Sequence, residues 1–229
     1  MSGQGIFVVF EGGDGVGKST QVERLCGALA PTGREVVRTF EPGDSALGAR
    51  IRRLVLDPET GDLAPRAEAL LYAADKAQHL HAVVRPALRR GAVVVCDRYV
   101  DSMLAYQGAG RVLAEAEVEQ VARWATEDLR PDLTVLLDVD PRRAVHTKVA
   151  KDRLEAAGET FHARARASFL ALAAREPARY LVLDARRSID DLAAAVAARV
   201  RSLLDDAGEH DEDSGTGAGL SEVSGRLAP

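Results

Sequence analysis

A chain of 229 residues, nearly half apolar and about a quarter charged, can bury the core of one folded domain. No apolar run reaches the roughly 18 residues that a bilayer span needs. The first residues also lack the basic region of a secretory signal, so a cytoplasmic protein is expected. The net charge of −5 is concentrated at one end, where residues 205–229 hold seven acidic side chains against Arg226 alone. The rest is close to neutral and poor in aromatics, which argues against a nucleic-acid partner.

Apolar, β-branched runs alternate with longer amphipathic segments. Strands are expected at 5–11, 35–40, 92–97, 133–139 and 180–185, and helices near 18–30, 45–56, 64–90, 113–127, 159–175 and 188–204. Pro65 falls at the start of the third helix, where a missing N–H costs nothing, and Pro86 predicts a kink inside it. Strands separated by helices pair in parallel through right-handed crossovers, giving an α/β sheet covered on both faces with its ligand at the carboxyl ends of the strands. Asp138 and Asp140 are expected to cap a helix opening at Pro141, and Trp124 to pack in the core or a dimer interface. Residues 205–229, acidic and Gly/Ser-rich, read as a disordered tail behind a domain spanning 1–204. Cys26 and Cys96 read as reduced thiols, and the five histidines have no zinc-ligand spacing.

The first strand runs into "FEGGDGVGKST". Gly12, four intervening residues, then Gly17-Lys18-Ser19 form the phosphate-loop pattern. Glycines let backbone N–H groups turn inward around phosphates, and the helix that follows adds its positive end. Lys18 then reaches the β/γ-phosphates and Ser19 ligates Mg²⁺, so ATP and Mg²⁺ are the expected ligands, held by Gly12, Gly13, Asp14, Gly15, Val16, Gly17, Lys18, Ser19 and Thr20. No Asn-Lys-x-Asp occurs, which argues against a GTPase. The third strand ends in Asp97-Arg98, a carboxylate near the metal and a guanidinium within reach of a second phosphate. A monophosphate acceptor follows.

With "EPGDSALGARIRRLVLDP", "EALLYAADKAQHL", "AVVVCDRYVDSMLAYQGAGR", "RPDLTVLLDVDP" and "DRLEAAGETFHARARASFLALA" added, the chain resembles the thymidylate kinases over nearly all of 5–204. The resemblance implies a five-stranded parallel nucleotide-kinase fold with a short lid at about 146–158, phosphoryl transfer from ATP·Mg²⁺ to dTMP, and a homodimer. It implies acidic groups at Asp14, Glu41 and Asp97 organising metal and acceptor, with Ser19 and Asp97 as metal ligands. Arg98 would clamp the acceptor phosphate. Tyr106 would close against the sugar, beside Gln107. Phe40, Glu41, Pro42, Tyr72, Lys76 and Met103 would line the acceptor pocket, Arg186 would lie against adenine, and Lys148, Lys151 and Arg153 would supply the lid's charge.

Four positions depart from the family pattern. Tyr72 replaces a stacking phenylalanine, Lys76 an arginine aimed at the base, Met103 a polar Ser or Asn, and Phe40 the arginine before Glu-Pro-Gly. Gly15 stands where some members place a phosphate-loop arginine. Two other readings therefore remain beside dTMP phosphorylation: a kinase for another or modified deoxynucleoside monophosphate, and a weakly active nucleotide-binding homologue.

Overall fold

The computed structural model describes residues 5–109, 113–140 and 158–213. Five parallel strands, β1 (Ile6–Gly12), β2 (Val36–Phe40), β3 (Val93–Asp97), β4 (Leu133–Asp138) and β5 (Tyr180–Asp184), form one sheet in the order β2-β3-β1-β4-β5. β1 lies at its centre, pairing Val9 with Cys96 on one side and with Thr134 on the other. All seven of its residues are buried. That is why its sequence is a continuous apolar run rather than an alternation. The chain leaves β1 for β2 on one side and later crosses to β4 on the other. The carboxyl end of β1 is thus the switch point, where α/β sheets open a crevice.

The helices are α1 (Lys18–Leu29), α2 (Ala46–Leu56), α3 (Pro65–His79), α4 (Arg85–Arg89), α5 (Val100–Met103), α6 (Glu115–Thr126), α7 (Glu159–Arg175) and α8 (Ile189–Asp213). Pro65 opens α3 as expected. The irregularity foreseen at Pro86 takes the form of a π-helical turn, Leu80–Val84, just before it. The proline ring cannot tolerate the carbonyl four residues back, and the wider turn relieves the conflict. A second π-helical stretch, Leu104–Ala109, extends α5.

Two expectations need correction. α8 continues beyond residue 204 to Asp213, with Leu204 and Ala207 packed on the core beneath β1, so the acidic segment begins as helix. Trp124 is 82% exposed and is not core, because α6 buries Val118, Ala122 and Ala125 on another face. The helix expected at Pro141 lies outside the described residues; Asp138 itself pairs with Arg166 of α7 in a two-pronged ion pair (2.7 and 2.8 Å). Among the described residues no helix is long and apolar enough to cross a membrane. Cys96 is buried and Cys26 half-buried, both as free thiols.

Candidate active site

The β1–α1 turn is shaped by its glycines. Gly12 has φ +132°, and a Cβ there would sit 2.4 Å from the Leu137 carbonyl oxygen, so no other residue fits. Gly17, at φ 93°, turns the chain into α1. The buried Lys18 ammonium donates to the carbonyls of Gly12 (3.1 Å) and Gly13 (2.5 Å). Burial, followed by the nearby Arg98 charge, lowers its pKa to about 8. Beside it Ser19 Oγ donates to Asp97 Oδ2 at 2.6 Å. A hydroxyl and a carboxylate thus converge at the loop, the hard-oxygen donor set that suits Mg²⁺ when phosphates and water complete its shell. No group of three or more His, Cys, Asp and Glu side chains that could hold a metal occurs among the described residues.

Facing the loop is Arg98, whose backbone is left-handed at φ 72°. Nη1 donates to the Gly12 carbonyl and to Ser102 Oγ, both at 3.0 Å, and Nη2 to Asp14 Oδ1 at 2.6 Å. Asp14 remains ionised: burial raises its pKa, but Arg98 and then Lys18 outweigh it and the net shift is downward. Tyr106 stands over this pair, its hydroxyl 3.4 Å from Asp14 Oδ2 and its ring centroid 5.3 Å from the Arg98 guanidinium. Phe161 stacks on Tyr106 at 5.7 Å and 19°, and Phe169 meets its edge, so the tyrosine is a fixed wall.

A cleft of about 470 Å³ joins these groups. It is lined by Asp14, Gly15, Gly17, Lys18, Ser19, Thr20, Phe40, Glu41, Pro42, Tyr72, Lys76, Asp97, Arg98, Met103, Tyr106 and Gln107, all expected from sequence. Gly12 and Gly13 shape the loop behind it, while Val16 turns into the core. Arg186 is not part of the cleft wall; it sits at the exposed end of β5, paired with Asp184. Lys148, Lys151 and Arg153 lie outside the described residues. Sequence reasoning missed Arg38, Arg52 and Ser102 on the cleft wall and Glu11 just behind it.

The departures from the family pattern acquire partners. The Lys76 ammonium pairs with Glu41 and donates to the Tyr99 carbonyl at 2.9 Å, with both charged side chains out of solvent. Burial raises the Glu41 pKa, but Lys76 and His79 outweigh it and hold the carboxyl below its usual range. Fully buried His79 joins Glu41 Oε1 (2.7 Å) to Thr39 Oγ1 (2.6 Å), and the Thr39 hydroxyl donates to Asp44 (2.5 Å). Phe40 carries the Arg52 guanidinium 5.6 Å above its ring, restoring positive charge where an arginine is absent. Met103 lines the cleft and is also 1% exposed in the core cluster that contains Ile51 and Tyr72.

A phosphate loop at a sheet switch point, facing a second arginine-centred anion site across one cleft, defines a P-loop nucleoside monophosphate kinase. The model of the thymidylate kinase family matches residues 10–196. A thymidylate kinase of Cutibacterium acnes is 60% identical over 200 residues, covering 87% of this chain and 98% of that protein. One from Leifsonia xyli is 56% identical over 200 residues, covering 86% and 94%. The crystal structure of thymidylate kinase from Ehrlichia chaffeensis superposes with a TM-score of 0.72 at 29% identity, covering 86% of this chain and 99% of that one. The chain belongs to the thymidylate kinase family.

Proposed function

We propose that the chain transfers the γ-phosphoryl group of ATP to dTMP, giving dTDP. The observation that carries this reading is the single cleft in which Lys18 and Ser19 face Arg98, Asp14 and Tyr106. Phosphoryl transfer needs little covalent help; it needs two phosphates aligned and their charge neutralised. The loop from Gly12 to Thr20 cradles the ATP phosphates and Lys18 balances their charge. Arg98 holds the acceptor phosphate with the donors not engaged by Gly12, Ser102 and Asp14. Ser19 and Asp97 would hold Mg²⁺, which when bound would supply neutralisation of phosphate charge. Lys148, Lys151 and Arg153 add charge on the transferring group. Tyr106, braced by Phe161, closes against the sugar where a 2′-hydroxyl would sit, while Gln107, Tyr72, Met103 and Lys76 bound the base. Arg186 lies against adenine.

A coupled assay across dTMP, dUMP, 5-substituted dUMPs, dCMP and dGMP tests the reading. Preference for dTMP supports it. Preference for another acceptor favours the alternative motivated by Met103, and absence of turnover favours a non-catalytic role. The same reading includes a homodimer. Leu47 and Leu54 on α2, Leu70 on α3 and Trp124 on α6 are exposed apolar side chains on neighbouring helices. Light scattering of the purified chain reports the oligomeric state.

A further inference from the structure

We infer that Glu11 is the positioning residue of the Arg98 phosphate clamp, an inference that rests on the acceptor reading above. Glu11 is fully buried within β1, paired across the sheet with Leu136. A carboxylate there is costly unless donors meet it. Three do, all from the segment that follows Arg98. The N–H groups of Tyr99 (2.8 Å) and Ser102 (3.1 Å) donate to Oε1, and the Ser102 hydroxyl donates to Oε2 at 2.6 Å. Burial raises the Glu11 pKa, and the Arg98 charge and these donors offset that rise only in part, so the net shift is upward.

The geometry divides into two actions. Arg98 N–H still bonds the Phe10 carbonyl at 2.9 Å, continuing the β3 ladder, but the next N–H turns to Glu11 instead. That turn is made at Arg98, in a left-handed conformation that a residue with a Cβ seldom adopts. α5 has no side-chain cap from its own N-cap residue, Tyr99. Glu11 supplies the cap from β1 and so holds the strained backbone in place. The second action runs through Ser102. Its hydroxyl donates to Glu11 and accepts from Arg98 Nη1 (3.0 Å), fixing the rotation of the guanidinium. Glu11 touches no substrate; it acts through Arg98.

Steady-state kinetics of the full chain, with dTMP and ATP varied separately, test this. Ser102→Ala breaks the side-chain relay alone and should raise the KM for dTMP roughly threefold to tenfold. Glu11→Gln should lower kcat/KM for dTMP roughly tenfold to a hundredfold. Both should leave the KM for ATP within about twofold of wild type. The double variant should be no worse than Glu11→Gln, because the relay is already broken. Equal losses for both nucleotides, or multiplicative losses in the double variant, would overturn the inference. If Glu11→Gln does not fold, Ser102→Ala in an Arg98→Lys background decides: no further loss supports the relay and a multiplicative loss refutes it. Wild-type turnover in the same assay tests the acceptor reading separately. If another monophosphate is preferred, the KM split is read on that acceptor.

Discussion

Replacing Lys76 by methionine keeps the length of the side chain and removes its charge. The Glu41 carboxylate then keeps its hydrogen bond with His79 but loses the ammonium, and the Tyr99 carbonyl loses its donor. Both members of the pair are essentially out of solvent, with side-chain exposures of 3% and 1%. Breaking such a pair from one side costs about 3–5 kcal/mol, since a buried charge is left under-compensated. At about 2–4 °C per kcal/mol for a domain of this size, the melting temperature should fall by roughly 6–20 °C. The pH dependence carries a sign. In the wild type Glu41 is held below its ordinary pKa, so its contribution is present above the unfolded value of about 4.3 and fades as pH falls through the folded one. In Lys76→Met burial prevails and the carboxyl rises above that value, so the variant loses stability as pH increases. Urea titrations at about pH 7.5 and about pH 5 should therefore give a large gap that narrows on acidification. The neutral pair Glu41→Gln/Lys76→Met should recover much of the loss. A gap below about 1 kcal/mol at neutral pH, or one that does not change with pH, would refute the reasoning.

Three further outcomes are expected. Lys18→Ala should reduce kcat by roughly a thousandfold or more, and near-wild-type turnover would remove the phosphate-loop assignment. In the wild type, kcat/KM for ATP should fall as pH rises through about 8, where the Lys18 ammonium begins to lose its proton; a flat profile past that point contradicts the shift. Phe161→Ala leaves a cavity behind the Tyr106 ring and should destabilise the fold by about 3–5 kcal/mol, measured by denaturation, while raising the KM for dTMP.

Local chemistry was readable in the residues and distant chemistry was not. The phosphate loop is a contiguous run whose glycines answer to the backbone of one turn, so spacing alone exposes it. Asp97 and Arg98 are visible because four buried residues of β3 precede them and end at the sheet's carboxyl edge. Glu11 looked like the polar end of a strand, since its partners lie 88 and 91 positions away. Glu41 and His79 meet across 38 positions. Arg52 was hidden by abundance: in a chain where arginine far outnumbers lysine, one arginine on α2 carries no signal until its side chain is seen over Phe40.

The departures at Phe40, Lys76 and Met103 share one logic. Each alters a feature of the acceptor side, and at Phe40 a neighbour, Arg52, supplies the charge that is absent. Phe40 lacks the charge of an arginine, yet its ring holds the Arg52 guanidinium beside Pro42, whose carbonyl accepts from Arg52 Nη1 at 2.6 Å. Lys76 keeps the cation but commits it to Glu41 and the Tyr99 carbonyl, so its charge anchors β2 and α5 to α3. Met103 is different: it lines the cleft with an apolar side chain that is at the same time part of the core cluster holding Ile51 and Tyr72. Positive charge is thus present beside Phe40 and at residue 76, carried by Arg52 and Lys76. Of the three, Met103 alone puts an apolar side chain on the cleft wall with no charged neighbour in exchange, so the acceptor series, rather than ATP binding, is the measurement that discriminates among the readings of this chain.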